Sequence, residues 1–300
     1  MFLVLVFAIE FQELKASSLV IEGAEAYSYK STSEGDLQLY VWKPEDFKGG
    51  HKRAAAIFFH GGGFTQGNPT AFTPLCRYLA HRGMIAISVQ YRLYPQVRIE
   101  GCLRDAKSAI RWVRTHSEEF KIDPERLAVG GDSAGGYLAA ATGLIDGFEE
   151  TNEDLSVSSH PNAFILLNPA LVLADVEGKE IPRQKDQTPE MMRERLGGDP
   201  VILSPYHHIR EGIPPMILMH GTEDTIVPFK LSEMFVSATK AAGNRCEFIP
   251  YPGREHTFFD INHSRKDFTS TTTEIDQFLT SLGYLKGSPN IEELMKSFKQ

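Results

Sequence analysis

The 300-residue sequence predicts an α/β protein built on a mostly parallel sheet flanked by helices on both faces. Three observations predict it. Short runs rich in apolar and β-branched residues recur along the chain. Single stretches of helical periodicity separate most of the later runs, which implies parallel βαβ units. Several runs end in glycine-bearing turns, where open parallel sheets collect their functional residues.

The elements follow in order. Residues 24–30 and 37–42 read as early strands joined by a polar turn at 31–36. Residues 54–60 (AAAIFFH) form a continuous apolar run of buried-strand type, ending at three glycines. Residues 72–82 have helical spacing and stop at Gly83, and 84–90 are a further strand. Residues 103–116 are helical, with Leu103, Ala106, Ile110 and Val113 on one stripe. Residues 126–129 are a short strand running into a glycine-rich turn, followed by an alanine-rich helix at 137–144. Strands at 163–167, 216–220 and 247–251 complete the series, with a helix at 229–242 and a closing helix at 274–282. The polar stretch 171–203 carries Pro182, Pro189, Gly197, Gly198 and Pro200 and interrupts the rhythm, which suggests a short cap insertion. Residues 19–300 therefore read as one domain, with a short amphipathic helix in the tail.

Residues 2–9 (FLVLVFAI) are too short to span a bilayer, which takes about 20 residues. They fit the apolar core of a secretory leader, with cleavage after Ser18, and so lean toward a secreted or periplasmic protein. The alternative is an N-terminal arm of a cytoplasmic protein, since no Lys or Arg precedes the run and Glu10 and Glu13 follow it.

Composition narrows the partners. The net charge is −8, which argues against a nucleic-acid face and against a polybasic membrane anchor. It fits an uncharged ester or polysaccharide better than an anionic substrate. The sequence leaves an oligomer open. Cys76, Cys102 and Cys246 are odd in number and widely spaced, so they read as free buried thiols rather than a zinc or redox motif.

The chemistry concentrates in four places. Gly131-Asp132-Ser133-Ala134-Gly135 matches G-x-S-x-G, directly after a strand and before a helix, where a sharp turn would expose the Ser133 hydroxyl. Alone, the motif also fits a serine N-cap. His60-Gly61-Gly62-Gly63 follows a buried strand, and its backbone amides can face a developing oxyanion. Gly62 and Gly63 are the expected donors, joined by the amide of Ala134. No Gly-Lys-Ser/Thr follows, which disfavours a phosphate loop.

Asp224 follows the 216–220 strand, and His256 follows the 247–251 strand. The order Ser, acid, His is the one that G-x-S-x-G hydrolases require. Glu223 and Asp260 are alternative acids. His207 and His208 precede the acid strand and read as pocket or turn residues. His51, His81, His116 and His263 read as surface or helix-end residues, and His220 as a buried, hydrogen-bonded one. Phe64, Tyr137 and Phe258 are candidate substrate contacts, although aromatics at strand ends, Phe259 included, more often pack than recognise.

At these residues the chain resembles the α/β-hydrolase superfamily, and more narrowly the bacterial esterase branch related to hormone-sensitive lipase. The resemblance is carried by HGGGF at 60–64, YRLYP at 91–95, DAKSAIRWVR at 105–114, IDPERLAVGGDSAGGYLAA at 122–140, SPYHHI at 204–209, HGTEDTIVPF at 220–229 and GREHTFF at 253–259. It spans residues 24–283. It implies an eight-stranded sheet, a nucleophile at Ser133, an acid at Asp224, a base at His256 and oxyanion donors at Gly62, Gly63 and Ala134. It implies no metal or organic cofactor, and a sheet order that keeps Cys102 far from Cys246.

Residues 101–140, with NRCEF at 244–248, are similar to esterases encoded near polysaccharide-degrading enzymes. The expected activity is hydrolysis of short-chain acyl esters, with acetyl or feruloyl groups on carbohydrates as candidate substrates. Only about 23 residues precede residue 24, where members of the branch carry a helical cap, so an open site is expected rather than a long-chain lipase. The rival readings are a peptidase of the same superfamily and a non-catalytic binding protein on the same scaffold.

Overall fold

A computed structural model describes residues 19–48, 50–178, 180–182 and 189–296. Residues 1–18, which the sequence reads as a leader or an N-terminal arm, lie outside the described residues. Eight strands form one sheet in the order β1-β2-β4-β3-β5-β6-β7-β8. They are β1 (Glu25–Thr32), β2 (Gly35–Trp42), β3 (Arg53–Phe59), β4 (Ile85–Val89), β5 (Ile122–Asp132), β6 (Ala163–Leu167), β7 (Met216–Gly221) and β8 (Cys246–Tyr251). Strands β1, β2 and β4 pair antiparallel; every later pairing, from β4 through β3 to β8, is parallel.

The continuous apolar runs follow from burial on both faces. In β3, Ala55, Ile57 and Phe59 enter one core, while Ala54, Ala56 and Phe58 enter the other. The first core is completed by α2 (Ile99–Thr115), α3 (Ser133–Leu144) and α5 (Phe229–Ala241). The second is completed by α1 (Thr73–His81) and α6 (Arg265–Ser281), with Ile291 of the short α7 (Ile291–Met295). Two layers of helix thus enclose the sheet, and the C-terminal ends of β3, β5, β7 and β8 open onto the same edge.

Several elements differ in extent from the sequence reading. Helix α6 starts at Arg265, nine residues before the apolar periodicity begins. Ser264 caps it by accepting from the Asp267 amide at 3.1 Å. Its threonine-rich first half hides the helix from propensity, because Thr favours it poorly. In place, the hydroxyls of Thr269, Thr271 and Thr273 donate to carbonyls one turn back. Helix α2 starts at Ile99 rather than 103, β5 at Ile122 rather than 126, and α3 at Ser133 rather than 137.

Among the described residues of 171–203, Pro189–Leu196 form α4. Cys76, Cys102 and Cys246 are all free and buried. Among the described residues, no helix is long and apolar enough to cross a membrane.

Candidate active site

Strand β5 delivers Ser133 to the sheet edge. Ser133 adopts φ 51°, the left-handed region that an L-residue occupies only under strain, and it opens α3 at once. The turn is sharp enough that helix and neighbouring strand nearly touch: a Cβ on Gly135 would lie 1.9 Å from the Phe59 carbonyl oxygen. Ser133 is 8% exposed and lines a cavity of about 120 Å³ together with Gly63 and Ala134.

Asp224 and His256, the acid and base candidates, meet. His256 Nδ1 lies 2.6 Å from Asp224 Oδ2. Asp224 Oδ1 accepts from the amides of Ile226 and Val227 at 2.8 and 2.9 Å. His220 Nε2 approaches Asp224 Oδ2 at 3.0 Å and the Val227 carbonyl at 3.0 Å. Both are acceptors, so this nitrogen carries a proton and donates. The other nitrogen, Nδ1, bonds Ser232 Oγ at 2.7 Å. Burial works against the ionised Asp224, but the hydrogen bonds from His220 and His256 outweigh it and hold the carboxyl well below the usual carboxylate range.

The alternative groups lie elsewhere. Glu223 is exposed, Asp260 is exposed and accepts from the Asn262 amide, and His207 and His208, both in the 3₁₀ turn Pro205–His208, bond the carbonyls of Asp175 and Ile202.

The glycine loop is shaped for its amides. Gly62 has φ 111°, and a Cβ there would lie 2.1 Å from the Gln66 carbonyl oxygen. Three side chains brace the loop from behind. Asp132 Oδ1 accepts from the Gly61 amide at 2.7 Å, His60 Nδ1 lies 2.8 Å from the Gly61 carbonyl, and the Tyr91 hydroxyl donates to the His60 carbonyl at 2.7 Å. The His60 ring also stacks on Tyr91, with centroids 4.4 Å apart. Burial lowers His60 to about 4, so the ring is neutral at pH 7 and Nδ1 donates. Desolvation pushes the Asp132 carboxyl up to about 6 despite the Gly61 hydrogen bond.

Of the three candidate aromatics, only Phe64 reaches the cavity. Tyr137 is fully buried beneath it, edge-on to Phe64 with centroids 5.5 Å apart. Phe258 is buried against Tyr251 and Phe259. Helix and loop turn these two rings into the cores, where their area is removed from water.

Asn168 was not among the residues singled out from sequence. It sits just past β6 with φ 41°, fully buried. Its Nδ2 donates to the His256 carbonyl, and its Oδ1 accepts from the Gly221 amide at 3.0 Å. It thus ties the His256 loop to the end of β7, three residues before Asp224. The available signal was its place at the C-terminal end of a parallel strand, before Pro169. Among the described residues, no group of three or more His, Cys, Asp or Glu side chains is arranged to hold a metal ion.

A family model described as an alpha/beta hydrolase fold matches residues 56–260. A probable isoprenylcysteine alpha-carbonyl methylesterase of Arabidopsis thaliana is 30% identical over 251 residues, 76% of this chain and 50% of the relative. Esterase LipC of Mycobacterium tuberculosis is 26% identical over 76% of this chain and 58% of its own length. The chain spans about half the length of the curated relatives it matches. Among solved structures, Thermogutta terrifontis esterase 2 phosphonylated by sarin is 44% identical with a TM-score of 0.86, covering 90% of this chain and 99% of that one. The butyrate-bound form of that enzyme is 45% identical with a TM-score of 0.82, covering 89% and 97%.

Proposed function

This chain belongs to the α/β-hydrolase family, and on that premise we propose that it is a serine carboxylic ester hydrolase acting on short-chain acyl esters. The observation that carries the reading is the 2.6 Å contact of His256 Nδ1 with Asp224 Oδ2, on the sheet edge where the strained Ser133 turn emerges. With Nδ1 held by the carboxylate, His256 Nε2 is the nitrogen free to take a proton.

Ser133 Oγ attacks the ester carbonyl as His256 removes its proton. Asp224 orients the ring and stabilises its cationic form. The amides of Gly62, Gly63 and Ala134 receive the tetrahedral oxyanion, each such donor contributing about 2.7–4 kcal/mol. His256 then protonates the leaving alcohol and activates the water that releases the acid. Among the described residues of 171–203, Val172, Leu173, Ile181, Pro182 and Arg195 line the cavity beside Ser133, together with Phe64.

The cavity of about 120 Å³ suits a short acyl chain better than a feruloyl group. Propionate and butyrate complexes of the Thermogutta esterase support the same preference. An acetylated carbohydrate is a candidate substrate within this class. Phosphonylation of that esterase by sarin supports a nucleophile at Ser133 that fluorophosphonate probes will label. Ser133→Ala is expected to abolish p-nitrophenyl acetate hydrolysis and probe labelling with an unchanged circular dichroism spectrum; near-wild-type turnover refutes the assignment. An acyl series from acetate to octanoate, beside acetylated xylan and methyl ferulate, tests the chain preference.

A further inference from the structure

Among the described residues, the side chains that line the cavity beside Ser133 are apolar except for Ser133 and Arg195. Ile99, Val172, Leu173, Ile181 and Leu231 contribute to its wall, and Arg195 is the one charged side chain among its described lining residues. Arg195 belongs to the last turn of α4. Both of its neighbours are anchored. Leu196 is fully buried in the core, and Glu194 receives the Tyr94 hydroxyl on its carboxylate at 3.2 Å and the Arg98 guanidinium on its carbonyl. Arg195 is held between them, half-buried, with no hydrogen bond or ion pair among the described residues.

Other arginines withdrawn from water are paired: Arg82 with Asp276, Arg92 with Asp105, and Arg111 with Glu149. A guanidinium beside an apolar wall bears a desolvation cost that an acceptor on a ligand would relieve. Its planar fork matches a carboxylate.

The lining of the cavity points to the acyl side of an ester, the part that stays on the enzyme. Ser133, Gly63 and Ala134 line it, whereas His256, which must reach the leaving oxygen, does not. Its volume of about 120 Å³, against the about 30 Å³ that one water takes up in the liquid, limits it to a short chain.

We propose that this cavity accepts an acyl chain ending in a carboxylate, so that half-esters of short dicarboxylic acids are preferred, with Arg195 holding the distal carboxylate. The proposal rests on the ester-hydrolase reading of Ser133. Ser133 Oγ bonds the proximal carbonyl carbon, the alcohol leaves with the proton relayed by His256, and water cleaves the acyl-enzyme to the dicarboxylate; the distal carboxylate is unchanged. The net charge of −8 opposes an anion at a distance, but that diffuse field is screened over about 8 Å, whereas Arg195 acts at contact.

The test compares kcat/KM for monoethyl glutarate and ethyl pentanoate by pH-stat at neutral pH. Arg195→Gln is expected to lower the glutarate-to-pentanoate ratio by about tenfold or more, the size of a lost charge-assisted pair. Arg195→Lys, which keeps the charge but not the fork, falls between. Arg193→Gln, on an exposed neighbour outside the cavity lining, leaves the ratio within about twofold. A smaller change in Arg195→Gln overturns the proposal.

Calorimetric titration of Ser133→Ala with the same two esters separates the two readings. If wild-type protein hydrolyses neither ester, the ester-hydrolase reading fails. Tighter binding of monoethyl glutarate still supports the Arg195 contact, and equal binding overturns it.

Discussion

Asp132 accepts the Gly61 amide at 2.7 Å, and this one bond joins the strand end that presents Ser133 to the loop that presents Gly62 and Gly63. Ser133, the proposed nucleophile, and two of its proposed oxyanion donors are thereby positioned by a shared brace rather than separately. His60 and Tyr91 hold the carbonyl side of the same loop, so both faces of the Gly61 peptide are fixed before substrate arrives. Such preorganisation is what makes amide donors effective at a developing charge.

If the brace controls the loop, Asp132→Ala lowers kcat for p-nitrophenyl acetate by about 10–100-fold, with a smaller change in KM. Asp132→Asn retains an acceptor for the Gly61 amide and stays within about threefold of wild type. Equal activity of wild type and Asp132→Ala, measured by steady-state kinetics, removes the brace from the mechanism.

His60 and Asp132 give stability opposite pH slopes. The fold raises Asp132 from 3.8 to about 6, so its contribution is present below 3.8 and is lost as pH rises through about 6. The fold lowers His60 from 6.5 to about 4, so the unfolded chain takes up the proton first and stability is lost as pH falls from 6.5 to about 4. The two effects oppose one another across the same window, each reaching at most about 3 kcal/mol. Relative to wild type, Asp132→Asn gains stability as pH rises from about 4 to 6, and His60→Gln gains it as pH falls over that range. Urea unfolding at several pH values reads both slopes; parallel curves for all three proteins contradict the assignment.

Asp224→Asn is expected to reduce kcat by about 10⁴-fold, because the ring of His256 loses its charged partner. Asp224 has a depressed folded value, so its stabilisation is present above the ordinary carboxylate range and disappears as pH falls through the folded value. The stability deficit of the variant is therefore largest near neutrality and shrinks in acid. A deficit that grows in acid contradicts that sign.

Asn168→Ala removes the side chain that links the His256 carbonyl to the Gly221 amide. Leaving these buried groups unpaired costs about 1–3 kcal/mol of stability. With the base loop released, kcat drops by about tenfold, while Asn168→Asp, which keeps one of the two bonds, falls between. Thermal unfolding and steady-state kinetics on the same preparations check both effects.

The strand series, the helices with a clean apolar stripe and the order of Ser133, Asp224 and His256 were legible from residue pattern alone. Buried parallel strands must be apolar on both faces, and a tight strand-to-helix turn must carry glycine where backbones touch, so both leave marks in the local sequence. The first half of α6 left no such mark, because its threonines satisfy their hydroxyls within the helix rather than displaying a stripe.

Asn168, the support of Asp224 by His220, and the place of Arg195 in the cavity wall were decided by tertiary structure. Each depends on side chains distant in sequence meeting at the sheet edge, and no local periodicity encodes such a meeting. For the aromatics, sequence named three candidates, and packing brought Phe64 to the cavity while burying Tyr137 and Phe258. Local sequence determined which chemical groups stand at the ends of strands. The packing of helices and loops around those ends decided which of them face the cavity and what holds them there, because burial and hydrogen-bond satisfaction are settled only between distant segments.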